Sequence, residues 1–213
     1  MEQKIQRMIE FDITREEGEE GTRTLYGRPI VYQATADIGE FFEVIDRGAL
    51  DEADLRDVAL LVNHDAKMIP CARSRRNNAN STMQLVPDED GLTFRAEIDT
   101  KNNLNSRALD SAIQRGDITG MSFILSFDPS TVFWEGLGEG KPTRHITRVS
   151  RLFEISAVTN PAYTDSFIAT RNADHEALES ALGSLEREKQ AEEEKREEIR
   201  QKILQKLKLA QEE

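Results

Sequence analysis

Short apolar runs broken by Gly, Pro, Asn and Asp fill the chain up to about residue 160, and runs of that kind read as strands. Strands are expected over residues 5–14, 24–32, 41–45, 58–63, 69–74, 83–87, 92–98, 144–149 and 152–158, and in the run that follows Gly120. Gly27 marks a bulge and Pro29 an edge or a break, because proline cannot donate to a ladder. Asp88-Glu89-Asp90-Gly91 has hairpin turn chemistry. The strand after it alternates cleanly, which predicts one wet face. Helical spacing of Leu104, Ala108, Leu109, Ala112 and Ile113 predicts a helix over 105–115, stopped by Gly116. The acidic start of residues 51–56 predicts a shorter helix. Residues 134–142, rich in glycine but without phosphate-loop spacing, read as a mobile surface loop.

From Asp174 the pattern changes. Leu178, Leu182 and Leu185 form a short stripe, a long charged stretch follows, and Ile199, Ile203 and Leu207 resume the stripe. A heptad register carried through Lys189, Glu192 and Arg196 meets charges, so a solvated helix or a weak coiled coil is expected. The chain therefore divides into a mainly β domain with helices (α+β) over residues 1–173 and a charged helical tail over 174–213. The tail is either a surface helix or one that binds a partner or scaffold.

Charge and composition narrow the function. A net charge of −12 and a pI near 4.9 argue against a nucleic-acid partner, since phosphate contacts need clustered Lys and Arg. No apolar run approaches the roughly 20 residues that span a bilayer, and the first residues carry no secretory h-region. Cys71 is the only cysteine, which rules out an internal disulfide and fits a reducing compartment. With His64, His145 and His175 the only histidines, and no HExxH or CxxC spacing, no metal and no cofactor are expected.

Three strands carry polar groups where apolar ones would serve packing better. Ser122 lies near the start of Met121-Ser122-Phe123-Ile124-Leu125, His64 ends Leu60-Leu61-Val62-Asn63-His64, and Glu154 interrupts Leu152-Phe153-Glu154-Ile155-Ser156. A hydroxyl, an imidazole and a carboxylate are the parts of a nucleophile, base and orienter set. Plain structural readings stand beside that one. Ser122 would simply bond its neighbours, His64 would close a strand on Asp65, and Glu154 would pair with Arg73, Arg148 or Arg151. Under strict alternation Glu154 shares a face with Leu152 and opposes Phe153 and Ile155, and a buried carboxylate is costly unless paired.

An ordered set of segments adds to this. Tyr26-Gly27, Val31-Tyr32, Glu43-Val44-Ile45-Asp46-Arg47-Gly48-Ala49-Leu50, Leu61-Val62-Asn63-His64-Asp65, Ala72-Arg73-Ser74 and Asp88-Glu89-Asp90-Gly91-Leu92 are followed by residues 115–123 and 152–163. In that order and spacing, from about residue 5 to Arg171, the chain resembles the head-maturation (prohead) proteases of tailed phages. Each segment is weak alone; the ordered set is specific.

The resemblance implies a serine endopeptidase on a compact β-barrel flanked by helices, distantly similar to the herpesvirus assemblins. It places the nucleophile on Ser122, the base on His64 and the third member on Glu154. It also implies the major capsid protein or a separate scaffold protein as substrate, cut inside the immature head in the host bacterial cytoplasm, with self-cleavage and self-association. His145 is the rival third member, because the herpesvirus relatives use a second histidine; it lies outside the motif and reads as a surface residue. Ser126, on the same face of its strand, is the decoy nucleophile. The herpesvirus relatives hold the oxyanion with an arginine pair, where this chain has Asn160-Pro161-Ala162-Tyr163, which leaves the backbone near Gly120–Ser122 as the candidate. The rival functions are a non-catalytic assembly factor on the same fold and a protease that cuts only itself.

Overall fold

A computed structural model describes residues 2–10, 13–18, 21–159 and 167–209. In chain order β1 (Gln3–Glu10), β2 (Thr14–Glu17), β3 (Thr22–Val31), β4 (Ala36–Asp37), β5 (Phe42–Ile45), β6 (Ala59–Val62), β7 (Ala72–Arg73), β8 (Met83–Asp88) and β9 (Gly91–Asp99) come first. Then follow α1 (Leu104–Arg115), β10 (Gly120–Phe127), β11 (Val132–Glu135), β12 (Thr143–Ile146), β13 (Arg151–Val158) and α2 (Phe167–Leu209). The single strand expected over 5–14 is thus β1 and β2, with residues 11 and 12 outside the described ones.

The strands form three sheets: β1-β10-β13-β6-β7, β2-β3-β9-β8 and β11-β12-β5-β4. The class is α+β, as the sequence indicates, but the sheets do not close into a barrel. They share one apolar core instead. Met121, Phe123, Leu125 and Phe127 of β10 enter it together with Leu25 and Ile30 of β3, Phe94, Ala96 and Ile98 of β9, and Ile146 of β12. This leaves the opposite face of β10 to Gly120, Ser122, Ile124 and Ser126.

Local chemistry explains most element ends. Asn103 caps α1 by accepting from the Asn105 and Ser106 amides, and Gly116 closes it with φ +73°, its N–H reaching the Ala112 and Ile113 carbonyls. The β8–β9 hairpin closes on Gly91, where a Cβ would lie 2.0 Å from the Ile30 carbonyl oxygen. The β3–β9 ladder slips between Gly27 and Ile30, the stretch that contains Pro29.

Two expectations are corrected. Residues 51–56 form turns, not a helix: the Asp54 N–H donates to the Ser150 carbonyl and the Asp54 carbonyl accepts from Leu152 N–H, which ties this backbone to the start of β13. The glycine-rich loop begins only at Gly136, because Trp134 and Glu135 belong to β11. The Trp134 ring meets Phe41 edge-on at 5.1 Å.

A buried cluster of two arginines and two carboxylates joins distant parts of the chain. Arg7 of β1 donates to Glu43 of β5 and, at 3.2 Å, to Asp174 of α2. Arg144 of β12 donates to the same two carboxylates, at 2.9 Å to Glu43 and 2.8 Å to Asp174. Burial pushes the Glu43 carboxyl up, but the two guanidinium groups outweigh it and hold it below its ordinary value. Burial likewise opposes the charge of Arg7, and Glu43 and Asp174 more than compensate. The Arg144 guanidinium also lies over the Phe41 ring, 4.6 Å from its centroid.

The change of composition at Asp174 therefore falls inside one helix, and its first described side chains are docked on the domain. Asp174 and Leu178 are buried, whereas residues 186–202 are exposed. Along that exposed part Arg196 and Glu192, and Lys202 and Glu198, pair at i, i+4, as expected of a solvated helix. No described helix is long and apolar enough to cross a membrane.

Candidate active site

The site lies on the face of the five-stranded sheet that turns away from the apolar core. β13 runs antiparallel to β10 and parallel to β6, so it is the middle strand of the three that carry the candidate residues. Ser122 stands directly across from Ser156, and Glu154 lies across from Ile124. Paired positions of this kind bring Cα atoms within about 4.5–5.5 Å.

A bulge lies immediately before Glu154 in β13. Between Ile124 and Leu125 of β10 the partner strand advances from Glu154 to Leu152, leaving Phe153 as the extra residue. Leu152 and Ile155 consequently both enter the core, although three residues apart, which strict alternation could not do. Glu154 and Ser156, two apart beyond the bulge, share the opposite face. Bulges that re-aim a side chain beside a functional site are common in sheets. The ring of Phe153 lies under the Lys4 ammonium and the Arg151 guanidinium, 4.1 and 5.1 Å from its centroid.

His64 reaches the same face through a left-handed turn. Asn63 and His64 follow β6 with φ of 50° and 59°, a conformation rare for side chains other than Asn and Gly. Asn63 fastens the turn to the end of β13 twice. The Asn63 N–H donates to the Ala157 carbonyl at 2.9 Å, and the Asn63 carboxamide oxygen accepts from the Thr159 N–H at 3.0 Å. The ring that results is bonded through Nδ1 to Glu154 Oε1. A carboxylate only accepts, so Nδ1 carries the proton and the lone pair is left on Nε2. That Nε2 is buried and has no hydrogen-bond partner among the described residues.

The simpler partners are occupied elsewhere. Asp65 accepts from the Lys67 N–H, Arg73 pairs with Asp57, and Arg148 pairs with Glu52. His145 sits in a different sheet, half-buried between Asp46 at 2.9 Å and Glu135 at 3.4 Å. Ser126 is buried and donates to Glu2 at 3.0 Å.

Ser122 has no exposed surface. Its hydroxyl donates to the Arg7 carbonyl of the neighbouring strand at 2.6 Å, so it points toward β1 and not toward the imidazole. A bond to Nε2 would require the hydroxyl to leave the Arg7 carbonyl. The sheet thus assembles Ser122, His64 and Glu154 on one face, with the His64–Glu154 bond made. The Ser122–His64 bond is not made.

The family of Caudovirus prohead serine proteases matches residues 9–181. The chain belongs to that family. No curated protein matches it. The solved structure of the bacteriophage T4 capsid assembly protease, gp21, aligns with a TM-score of 0.44 at 13% identity, over 75% of this chain and 99% of that one. Membership of that family makes the chain a protease of the serine type that serves phage head maturation.

Sequence reasoning overlooked two groups beside the candidate residues of this prohead protease. Ser156 shares a face with Glu154 and is completely buried; its place two residues after the acid was the available signal. The Arg7 carbonyl is a backbone group with no signal in the sequence. Residues 160–163, which stand where the herpesvirus relatives keep an arginine pair, lie outside the described residues. Among the described residues no three of His, Cys, Asp and Glu converge as a metal site would require.

Proposed function

We propose that the chain is an endopeptidase that removes the scaffold portion of the capsid precursor, or a separate scaffold protein, inside the immature head in the host cytoplasm. It also cuts itself. The observation that carries this reading is the His64–Glu154 pair, with the imidazole's second nitrogen unoccupied, on the face that bears Ser122.

Ser122 leaves the Arg7 carbonyl, gives its proton to His64 Nε2 and attacks the scissile carbonyl carbon, forming a tetrahedral adduct. Glu154 holds the Nδ1–H tautomer and stabilises the imidazolium that forms. Collapse of the adduct expels the amine, which takes the proton back from Nε2, and water then hydrolyses the acyl-enzyme by the same proton route. Because Ser122 is fully buried, a substrate segment must displace whatever covers it. The exposed half of α2 is the part of the chain free to contact scaffold, shell or a second copy.

The buried, β1-directed hydroxyl favours a second reading, in which the same fold acts as a non-catalytic assembly factor. Co-expression with the capsid precursor separates the two, with intact masses recorded for wild type and Ser122→Ala. Shortening of the precursor or of the enzyme that disappears in Ser122→Ala is the expected result. Unchanged masses in both, with shells forming only when the protein is present, would establish the assembly-factor reading. Shortening of the enzyme alone would mark a protease that cuts only itself.

A further inference from the structure

We infer that Ser156 is a positioning residue of the protease, holding the Glu154 carboxylate and the His64 turn in one geometry; the inference rests on the Ser122–His64–Glu154 reading. Ser156 has no exposed surface, and its single hydroxyl is used twice. The Oγ–H donates to Glu154 Oε1 at 3.2 Å, and the oxygen accepts from the His64 backbone N–H at 3.3 Å. Glu154 Oε1 is the same oxygen that receives His64 Nδ1–H. Two donors therefore converge on one carboxylate oxygen, and one of them is fixed in turn by the histidine it helps to orient.

Burial makes this consequential. A carboxylate buried beside an apolar sheet is costly unless it is hydrogen-bonded. Glu154 takes that support from the imidazole and from Ser156. A side chain with χ2 and χ3 freedom would otherwise be held at one point. Ser156 is also rigidly placed, in the middle strand of the sheet and directly opposite Ser122. Glu154 and Ser156 lie two apart in the regular part of β13 and so share a face. Their bond follows from that i, i+2 spacing.

Loss of a hydrogen bond to a charged acceptor typically costs a factor of about ten to a hundred. The test measures the rate at which a fluorophosphonate labels Ser122 in the full chain, with the adduct mapped by peptide mass. Ser156→Ala is expected to slow labelling about ten- to a hundredfold. In a Glu154→Gln background the same change is expected to slow labelling less than it does in the wild-type chain, because the share that acts through Glu154 is gone and only the bond to the His64 N–H remains. Ser156→Cys restores the volume but donates weakly, and it is expected to behave as the alanine variant does.

Equal slowing by Ser156→Ala in both backgrounds, or a wild-type rate for Ser156→Cys, would make Ser156 a packing residue and overturn the inference. The cysteine variant decides the matter alone if the alanine variant does not fold. An adduct on Ser156 would overturn it by making Ser156 the nucleophile. If the wild-type chain is neither labelled nor able to cut the precursor, the catalytic reading fails first and takes this inference with it. That outcome differs from normal labelling that is indifferent to Ser156.

Discussion

At the scale of single residues, the site depends on which groups a side chain can reach. Glu154→Gln keeps the shape but can present an N–H where His64 needs an acceptor, which destabilises the Nδ1–H tautomer. A loss of about 10³–10⁴ in the labelling rate of Ser122 is expected, with an unchanged thermal midpoint as evidence of folding. His145→Ala, in another sheet and paired with Asp46, is expected to leave that rate within about twofold. A histidine acting as the third member would instead cost several decades. His64 and Glu154 were legible because a polar group inside an apolar run needs a reason. That the hydroxyl of Ser122 would lie against Arg7 was not legible, because the choice between a carbonyl and an imidazole is made by strands far apart in sequence.

Elements show where pattern reading works and where tertiary contacts override it. The alternating β9 and the capped α1 carry their signals within a few residues of themselves. The turn at 51–56 carries the acids of a helix start, yet its backbone is captured by β13, and a local signal cannot report a distant competitor. The Phe153 bulge is similar: apolar residues at 152, 153 and 155 fit a regular strand equally well, and only the ladder with β10 reveals the extra residue. The four-charge cluster was invisible too, its members being spread over β1, β5, β12 and α2. Asp174→Ala leaves two buried guanidinium groups with one carboxylate. Breaking a buried pair in this way costs about 3–5 kcal/mol, and urea unfolding of the variant against wild type checks that figure.

For the molecule as a whole, the cluster also sets a response to acid. Glu43 titrates below its ordinary value in the folded state, so its pairing stabilises fully above the unfolded carboxylate range, near pH 4.3. That contribution disappears as pH falls through the depressed native value. Unfolding free energy should therefore drop steeply below about pH 4, and the Glu43→Gln variant should show a shallower dependence from a lower starting point. The same cluster has a consequence in time. Arg7 precedes its β10 and α2 partners by more than a hundred residues of synthesis: its strand pairs with residues 120–127 and its guanidinium waits for Asp174. The strand whose carbonyl receives the Ser122 hydroxyl thus lacks its partner in α2 until Asp174 has been made. A chain made only as far as β13 therefore lacks part of the surroundings of Ser122, and the order of synthesis itself delays the completion of the proposed site.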